Sequence, residues 1–282
     1  MRKIHLFSFL LSWTLAFQLS AQPSASLSAL SWKTEQLSKG LVWKNVHTDQ
    51  LFDSRQHINV LEINTKKHRL GLVYSADSLI RTSEMARTSH AVAAVNAGFF
   101  DTKNGGSVTF LKVNGKVINT TRPKLVEEKS ELLRGALVFG PGRKVRIEAA
   151  WADSVYFSKK YRTVLLTGPM LIENGQAVAL ADRPFDQNRH PRSCACITED
   201  SNLLLLTVDG RTDQSQGMSL PELTTLLRSL GCRNAVNLDG GGSTTMWIAG
   251  KPENGIVNMP CDNKLFDAMG ERRVANAVVV KR

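Results

Sequence analysis

The chain has 282 residues, of which 42% are hydrophobic and 22% are charged. That length suits one large domain or two small ones and is ample for a sizeable buried core. The formal net charge of +11 favours an anionic partner. The chain nevertheless lacks a lysine-rich run or a basic stripe interleaved with aromatic residues, and this disfavours nucleic acid as that partner.

The first residues have the pattern of a secretory signal peptide. Arg2 and Lys3 precede a mostly apolar run over residues 4–19, and Leu19-Ser20-Ala21 is a small-residue cleavage site. We therefore predict a signal peptide over residues 1–21 and an exported protein, periplasmic or secreted, after cleavage near Ala21. The run is too short and too often broken to span a membrane, which needs about 20 apolar residues, and no other stretch approaches that length.

After the signal peptide, residues 22–40 are rich in Ser and Ala and predict a loosely ordered arm, followed by a single domain over residues 41–282. Within that domain, short apolar or alternating segments predict strands. In chain order they cover residues 58–63, 70–74, 91–95, 110–118, 136–139, 145–147, 164–166, 194–198, 203–208, 235–238, 246–248 and 274–280. Many short strands with few helices favour an α+β fold with a mixed, largely antiparallel sheet core.

One helix is predicted with clear end signals. Ser219 is its N-cap, Glu222 completes a capping box, and Pro221 lies in the first turn. Leucines at positions 223, 226, 227 and 230 form one buried stripe. Gly231 supplies the left-handed stop, so the helix lies between the strands 203–208 and 235–238.

Four cysteines are present: Cys194, Cys196, Cys232 and Cys261. Cys194 and Cys196 lie two apart on one strand, where their side chains point in parallel and seldom bond to each other. We interpret the thiols as small buried hydrophobic groups, with a Cys196–Cys232 or a Cys232–Cys261 disulfide left open. There is no further cluster of Cys or His at metal-ligand spacing.

A glycine-rich segment follows the strand 235–238. Asp239 is followed by Gly240, Gly241 and Gly242 and then by Ser243, Thr244 and Thr245. Consecutive glycines suit a backbone that takes a positive φ or lies close to a ligand, and their amides can form an anion-binding concavity. The alternative is a tight turn with a helix-capping Asp. The segment lacks the Gly-Lys-Ser of a P-loop and the Gly-x-Ser-x-Gly of a nucleophile elbow.

Other polar residues also stand at the ends of apolar strands, which places them on rigid supports at one edge. They comprise Asn96, Thr167, Gly168, His190, Arg192, Asp209, Arg211, Asp239 and Arg272. Asp209 and Asp239 bracket the predicted helix in a β-α-β arrangement, so we expect the two carboxylates to lie close together. The set predicts a pocket for an anionic substrate with a working carboxylate. For Asn96, a turn residue bonding its own backbone is the alternative.

These motifs, taken in order, resemble the phosphodiester glycosidase family over roughly residues 90–282. The segments that carry the resemblance are Asn96-Ala97-Gly98-Phe99-Phe100, Thr167-Gly168-Pro169, His190-Pro191-Arg192-Ser193, Val208-Asp209-Gly210-Arg211, Asn237-Leu238-Asp239-Gly240-Gly241-Gly242-Ser243 and Glu271-Arg272-Arg273. The resemblance implies hydrolysis of a sugar-1-phosphodiester at the glycosidic C–O bond, with release of a free sugar of the N-acetylglucosamine kind and a phosphomonoester. A phosphorylated glycan or sugar-1-phosphodiester is then the expected partner. The family's usual Pro-Ser-Asp is Pro260-Cys261-Asp262 here, and Ser193-Cys194-Ala195-Cys196 also departs from its pattern.

The expected roles follow from the chemistry of a phosphate leaving group, whose charge must be held as the bond breaks. We predict Asp239 as the carboxylate that acts on water or the anomeric carbon, Asp209 as a second carboxylate or orienter, and His190 as a proton donor. The predicted substrate- and phosphate-binding residues are Asn96, Gly98, Thr167, Gly168, Arg192, Arg211, Gly240, Gly241, Gly242, Ser243, Thr244 and Arg272. No cofactor is required, and a divalent cation near Asp209 or Asp239 is left open.

Two other functions are compatible with parts of this pattern. A non-catalytic binding or assembly factor for an anionic exported polysaccharide would use the same cations, but would gain nothing from carboxylates beside the phosphate. A Ser243-dependent esterase would need a His and an orienting residue that the motifs do not supply.

Overall fold

The computed structural model describes residues 30–122, 131–150 and 153–282. The predicted signal peptide and the first part of the predicted arm lie outside these ranges. No helix among the described residues is long and apolar enough to cross a membrane.

Short strands dominate the chain, as predicted. The strands are β1 Lys33–Ser38, β2 Leu41–Leu51, β3 Ser54–Ile63, β4 Arg69–Tyr74, β5 Ile80–Arg81, β6 Ala93–Asn96, β7 Leu111–Val113, β8 Lys116–Asn119, β9 Gly135–Phe139, β10 Val145–Ala149, β11 Thr163–Thr167, β12 Met170–Glu173, β13 Gln176–Ala177, β14 Arg192–Thr198, β15 Leu203–Val208, β16 Cys232–Asn237, β17 Met246–Ile248, β18 Arg273–Val274 and β19 Asn276–Lys281. The helices are α1 Thr82–Thr88, α2 Asp153–Phe157, α3 Pro184–Gln187 and α4 Leu220–Ser229.

The largest sheet has eight strands in the order β1-β2-β3-β15-β14-β16-β12-β13. A second sheet has the order β10-β9-β11-β7-β8, a third has β17-β6-β19-β4, and β18 pairs with β5. Every ladder between these strands is antiparallel, so the predicted α+β class with a largely antiparallel core is confirmed.

The two faces of the eight-stranded sheet bury different sets of side chains. One face contributes Leu61, Leu205 and Val236 to a core shared with Leu165 of the second sheet and Val278 of the third. The opposite face carries the alternate residues, including Leu204 and Leu206, and packs against α4. Strand alternation therefore decides whether a side chain faces the sheets or the helix.

Helix α4 begins as predicted, because its start is encoded locally. The Ser219 hydroxyl accepts from the Glu222 amide at 3.3 Å, and the Glu222 carboxylate accepts from the Ser219 amide at 2.9 Å. Leu223, Leu226 and Leu227 form the buried face of the helix.

The N-terminal arm is more ordered than predicted. Residues 33–38, which fall within the predicted loose arm, form β1 and pair with β2, so the prediction is wrong there. The backbone hydrogen bonds of this edge strand hold it on the sheet although its side chains are largely exposed.

Of the two disulfides left open, Cys196–Cys232 is present and joins β14 to β16, while Cys194 and Cys261 are free and buried.

Candidate active site

Two strands deliver the predicted carboxylates to one edge of the eight-stranded sheet. β15 and β16 both pair antiparallel with β14, which lies between them, so they run parallel to each other and end at the same edge. Asp209 follows β15 directly, and Asp239 follows β16 after Leu238. Their backbones are two strand spacings apart, about 10 Å.

The backbone of Asp239 is held by the end of β6. Its amide donates to the carbonyl of Ala97 at 2.8 Å, and its carbonyl accepts from the Asn96 side-chain amide at 2.6 Å. The other end of the Asn96 amide accepts from the Ser193 hydroxyl at 2.7 Å and from the Thr245 amide at 3.1 Å. Asn96 thus joins β6, β14 and the glycine-rich segment and fixes the position of the Asp239 backbone.

The Asp239 carboxylate is in an environment that disfavours its charge. Burial raises its pKa to about 6, although the Ser243 hydroxyl, Arg272 and the Gly240 amide act in the opposite direction. A carboxyl group whose pKa lies near the working pH is suited to proton transfer and to attack on a substrate.

The glycine-rich segment is a tight turn more than an open cradle. Residues Gly241–Ser243 form a 3₁₀ turn in which Gly241 has a φ of +60°, and the Gly241 amide donates to the carbonyl of Pro191 at 2.8 Å. The amides of Ser243 and Thr244 donate back to Gly240 and Gly241. The prediction that the amides of all three glycines bind phosphate is therefore wrong for Gly241, because its amide is already used within the fold.

What the glycines provide is room for two guanidinium groups. A Cβ on Gly241 would lie 3.1 Å from Nη2 of Arg211, and a Cβ on Gly242 would lie 2.5 Å from Nη2 of Arg272. Side chains at these positions would push the cations away. The two arginines therefore lie directly against the turn that follows Asp239.

Arg272 and Arg211 differ in whether a carboxylate neutralises their charge. Arg272 donates from Nε to Oδ1 of Asp262 at 2.9 Å, and this partner raises the pKa of Arg272. Across the described part of the chain no carboxylate forms an ion pair with Arg211, which is exposed. Arg211, which has the Cys261 side chain as a hydrogen-bond partner, is thus the cation at this turn that an incoming anion meets without a carboxylate, and its role in binding phosphate stays a prediction.

Asp209 is buried and its carboxylate is fully engaged. Oδ2 accepts from Nδ1 of His57 at 2.6 Å and from the Met259 amide at 2.9 Å, and Oδ1 accepts from the Asn258 side chain at 2.7 Å. The Asn258 amide also donates to the carbonyl of Thr244 at 3.0 Å. One side chain therefore ties Asp209 to the glycine-rich segment. Of the two roles predicted for Asp209, the geometry favours the orienter.

His57 is the functional candidate that the sequence did not reveal. It lies near the start of β3, and because β3 pairs antiparallel with β15, this start is next to the end of β15. The ring is 12% exposed and has His47 and Phe266 at centroid distances of 5.5 and 5.7 Å. The signal for it in the sequence is His57-Ile58-Asn59, a polar start to a strand of alternating pattern. This segment lies outside the part of the chain that resembles the family.

Arg192 does not belong to the cleft, contrary to prediction. It is 1% exposed and donates to three carbonyls: from Nε to Met218 at 2.9 Å, and from Nη2 to Phe185 at 2.7 Å and to Asn188 at 3.0 Å. Arg192 begins β14, so alternation places it with Cys194 on the helix-facing side of the sheet. Burial lowers its pKa to about 10. Its role is to hold the connection that contains α3 against Met218.

His190 is partly buried and lies near Arg192 and Arg211. Burial lowers its pKa, and the charges of Arg192 and Arg211 lower it further. A His with a lowered pKa is mostly neutral at neutral pH, and this weakens the predicted role of proton donor. Its backbone pairs with Met218 in an isolated bridge.

The remaining predicted binding residues are buried within the fold. Asn96 and Thr167 are 0% exposed, and the Thr167 hydroxyl donates to the carbonyl of Asn237 at 3.1 Å. Gly98 and Gly168 allow close packing, because a Cβ would lie 2.6 Å from Cδ1 of Leu165 and 2.2 Å from the carbonyl of Leu132, respectively. These four residues position the strands that carry Asp239, and the direct binding predicted for them stays a prediction.

Ser243, Thr244 and Cys261 lie beneath the surface of the site. Ser243 and Thr244 are each 1% exposed, the Ser243 hydroxyl lies against the Asp239 carboxylate, and the phosphate contacts predicted for both residues stay a prediction. Cys261, at the family's usual serine position, is buried and has Arg211, Asp209 and Asp262 as its charged neighbours. Burial raises the pKa of its thiol.

An open cleft of about 590 Å³ lies beside the turn. It is lined by Leu79, Arg81, Phe100, Thr102, Asp262, Glu271, Arg272 and Arg273. Asp262 and Arg272 also contact Gly242, so the cleft opens next to Asp239. Its polar and cationic wall suits a hydroxylated, anionic ligand.

Among the described residues, no group of three or more His, Cys, Asp or Glu side chains is arranged to hold a metal ion. Both oxygens of Asp209 are already taken by protein donors. The absence of a cofactor requirement stays a prediction.

Two known proteins are similar to this chain in sequence. The chain is 41% identical to the SPbeta prophage-derived protein YomE of Bacillus subtilis over 175 residues, which is 61% of this chain and 26% of that protein. It is 26% identical over 206 residues to N-acetylglucosamine-1-phosphodiester alpha-N-acetylglucosaminidase of Bos taurus, which is 70% of this chain and 38% of that protein. The chain thus spans well under half the length of these two relatives.

Solved structures share its fold. The catalytic domain of the zebrafish N-acetylglucosamine-1-phosphodiester alpha-N-acetylglucosaminidase, auto-inhibited by its pro-peptide, superposes with a TM-score of 0.67 at 16% identity and covers 91% of this chain and 92% of that one. A Synechocystis protein superposes with a TM-score of 0.70, also at 16% identity, over 90% of this chain and 64% of that one.

The match to a family is more direct than either set of similarities. Residues 89–281 fit the sequence profile of one family. That range contains the ends of β6, β15 and β16 and the turn with its two arginines. This chain belongs to the phosphodiester glycosidase family.

Proposed function

We propose that this protein hydrolyses a sugar-1-phosphodiester at the glycosidic C–O bond. Water forms the new bond to the anomeric carbon, the bond to the phosphate oxygen breaks, and its electron pair leaves with the phosphate. The products are the free sugar and a phosphomonoester, and one proton is released. The N-acetylglucosamine-related activity named for the bovine and zebrafish relatives makes a sugar of that kind the first candidate.

The observation that carries the proposal is the arrangement of Asp239 and the turn that follows it. Asp239 supplies a carboxyl group with a pKa of about 6, and two glycines of the turn, Gly241 and Gly242, leave room for the guanidinium groups of Arg211 and Arg272 directly against the backbone. A phosphodiester bound by Arg211 and Arg272 would have its anomeric carbon beside Asp239. Cations fixed before the reaction stabilise charge that develops on the departing phosphate.

We assign distinct roles to the three titratable groups of the site. Asp239 acts on the attacking water or on the anomeric carbon. His57 accepts through Nε2 the proton that the attacking water releases, and Asp209 is its positioning residue, because Nδ1 of His57 donates to Asp209 at 2.6 Å. A phosphomonoester is already a good leaving group, so little protonation of the departing oxygen is needed.

Export of the protein is part of the proposal. The signal-like segment over residues 1–21 and the Cys196–Cys232 disulfide both suit an oxidising compartment outside the cytoplasm. The periplasmic or secreted protein would meet phosphorylated glycans there.

The proposal is tested by incubating the protein with a panel of sugar-1-phosphodiesters and following the released sugar and its anomer by NMR. Asp239→Asn is the inactive comparison, and Asp182→Asn, at an exposed position, is the matched control. Release of free sugar by the native protein and by Asp182→Asn, but not by Asp239→Asn, is expected. Binding of the phosphodiesters without any release would instead favour the non-catalytic polysaccharide-binding factor.

A further inference from the structure

A second groove lies at the opposite edge of the eight-stranded sheet from Asp239. It has a volume of about 720 Å³ and is formed by the end of β14, the start of β16, and β10 with the turn that precedes it. Arg233, which lines the groove, precedes Asp239 by six residues along β16 and the residue after it. At about 3.3 Å per residue, the two places are about 20 Å apart, so the groove is separate from the candidate active site.

The groove is strongly cationic. Five of its lining residues are basic, against two acidic ones, Glu148 and Glu199. The basic residues are Lys66, Arg143, Lys144, Arg146 and Arg233. Arg146 pairs with Glu148 at 3.3 Å. In residues 30–122, 131–150 and 153–282, no carboxylate forms an ion pair with Lys66, Lys144 or Arg233. Unpaired cations gathered along one concave surface attract and hold anions.

The walls of the groove are built and held in place. Arg143 donates from Nη1 to the carbonyl of Lys66 at 2.9 Å, which closes one rim. The Asn234 side chain donates to the carbonyl of Ile147 at 2.8 Å and accepts from the Asn174 amide at 2.9 Å. The Cys196–Cys232 disulfide joins the two strands on the floor of the groove. These cations therefore project from a fixed frame.

The other lining groups narrow the class of ligand. Thr65, Ser201 and Asn174 offer hydroxyls and an amide, and none of the sixteen lining residues is aromatic. Hydroxyls and amides suit the hydroxyl groups of sugars or polyols, whereas single-stranded nucleic acid is held largely by bases stacked on aromatic rings. We propose that this groove binds a polyanionic, phosphate-bearing glycan or polyol chain at a site separate from Asp239.

The proposal rests on the groove itself and is tested by binding, which does not require turnover. The probe is a fluorescently labelled poly(glycerol phosphate) oligomer, and its Kd is measured by polarisation at low salt for the Asp239→Asn protein. Into this background we introduce Lys144→Glu with Arg233→Glu. The matched control is Lys116→Glu with Arg228→Glu, a pair of the same residue types at exposed positions elsewhere.

We expect the groove pair to weaken binding at least tenfold, and the control pair by no more than twofold, with similar Tm values. A neutral dextran of the same length should not bind to any variant. Equal effects of the two pairs would overturn the groove as the site, and an oligothymidylate of the same charge binding as tightly as the probe would overturn the class of ligand. In the native background, Lys144→Glu with Arg233→Glu should leave the turnover of a small sugar-1-phosphodiester unchanged. If the proposed function is wrong, none of the proteins will turn over such a substrate, and the binding results will still stand.

Discussion

His57 and Asp209 come from strands 152 positions apart and meet with Nδ1 and Oδ2 separated by 2.6 Å. β3 begins where β15 ends, so antiparallel pairing alone brings the two residues together. The contact orients the imidazole and leaves Nε2 as the nitrogen available to a substrate. It is the same geometry by which a carboxylate fixes the tautomer of a working histidine.

His57→Ala and Asp209→Asn should each lower kcat, and the double variant should lose little more than His57→Ala alone. Two residues that act as one unit are strongly non-additive. We expect a loss of about 10²-fold for His57→Ala, the lower range for removal of a general acid–base group. Steady-state kinetics of the four proteins measure this, and fully additive losses would show that the two residues act separately. Asp209→Asn should also shift the pH dependence of kcat, which a purely structural role would leave in place.

Asp239→Asn should abolish turnover and yet stabilise the protein near neutral pH. The folded pKa of about 6 lies above the ordinary 3.8 of an aspartate. Between these pH values the folded state holds a proton that the unfolded state has released, so this group stabilises the protein at low pH and the contribution is lost as the pH rises through 6. Asn carries no such dependence. We expect the variant to gain about 1–2 kcal/mol at pH 7.5 and less at pH 4, as measured by urea unfolding. A gain that is equal at both pH values would contradict the raised pKa.

The same raised pKa predicts the acid limb of the activity profile. If Asp239 works as a carboxylate, kcat/KM should rise with pH and level off above about 6. A profile between pH 4 and pH 8 on one substrate measures this. Activity that falls as pH rises through 6 would show that the protonated form is the working one.

Arg211→Ala and Arg192→Ala should differ in kind. Arg211 is exposed at the turn, so we expect about a tenfold to hundredfold loss in kcat/KM on sugar-1-phosphodiesters, a smaller loss on neutral aryl glycosides, and an unchanged Tm. Arg192 is buried with three carbonyls as partners, so its removal should cost about 3 kcal/mol or more of stability. Paired kinetic and thermal measurements distinguish these outcomes, and a folded, inactive Arg192→Ala would restore that residue to phosphate binding.

Replacing both Cys196 and Cys232 by alanine should destabilise the protein without removing activity at 25 °C. The bond closes a segment of 36 residues, for which the loop-entropy relation gives about 3–4 kcal/mol. That corresponds to a Tm lower by about 10 °C. Cys194→Ala, at a buried free thiol on the same strand, is the control, with a smaller expected decrease. A double variant as stable as the native protein would show that the disulfide contributes nothing.

The sequence could predict what local patterns determine. β15 has the predicted bounds of residues 203–208, and the Ser219 capping box begins α4 as expected, because alternation and capping act over a few neighbouring residues. These features need no knowledge of distant contacts. Arg211 and Asp239 are expected in one site only through the resemblance to a family, because the contact of Arg211 with the turn after Asp239 is a tertiary one.

The rest depended on tertiary pairing. His57 joins the site through the start of a strand, whereas the polar residues that the sequence predicts for the site stand at strand ends. The sequence predicts Arg192 to lie before a strand that starts at Cys194, at the edge with the other site residues. The strand starts at Arg192, and alternation turns that side chain toward α4. Asn96, Thr167 and Gly98 have residue types suited to a ligand, but their partners are other strand ends.

Arg211 adopts a left-handed backbone conformation, with a φ of +65°. For a residue with a Cβ this costs about 1–2 kcal/mol, which Gly or Asn would largely avoid. Selection for a durable fold alone would therefore favour replacing this arginine. Its presence indicates that some stability is given up to keep a cation at one fixed place. Arg211→Gly should therefore have a higher Tm and a lower activity than the native protein.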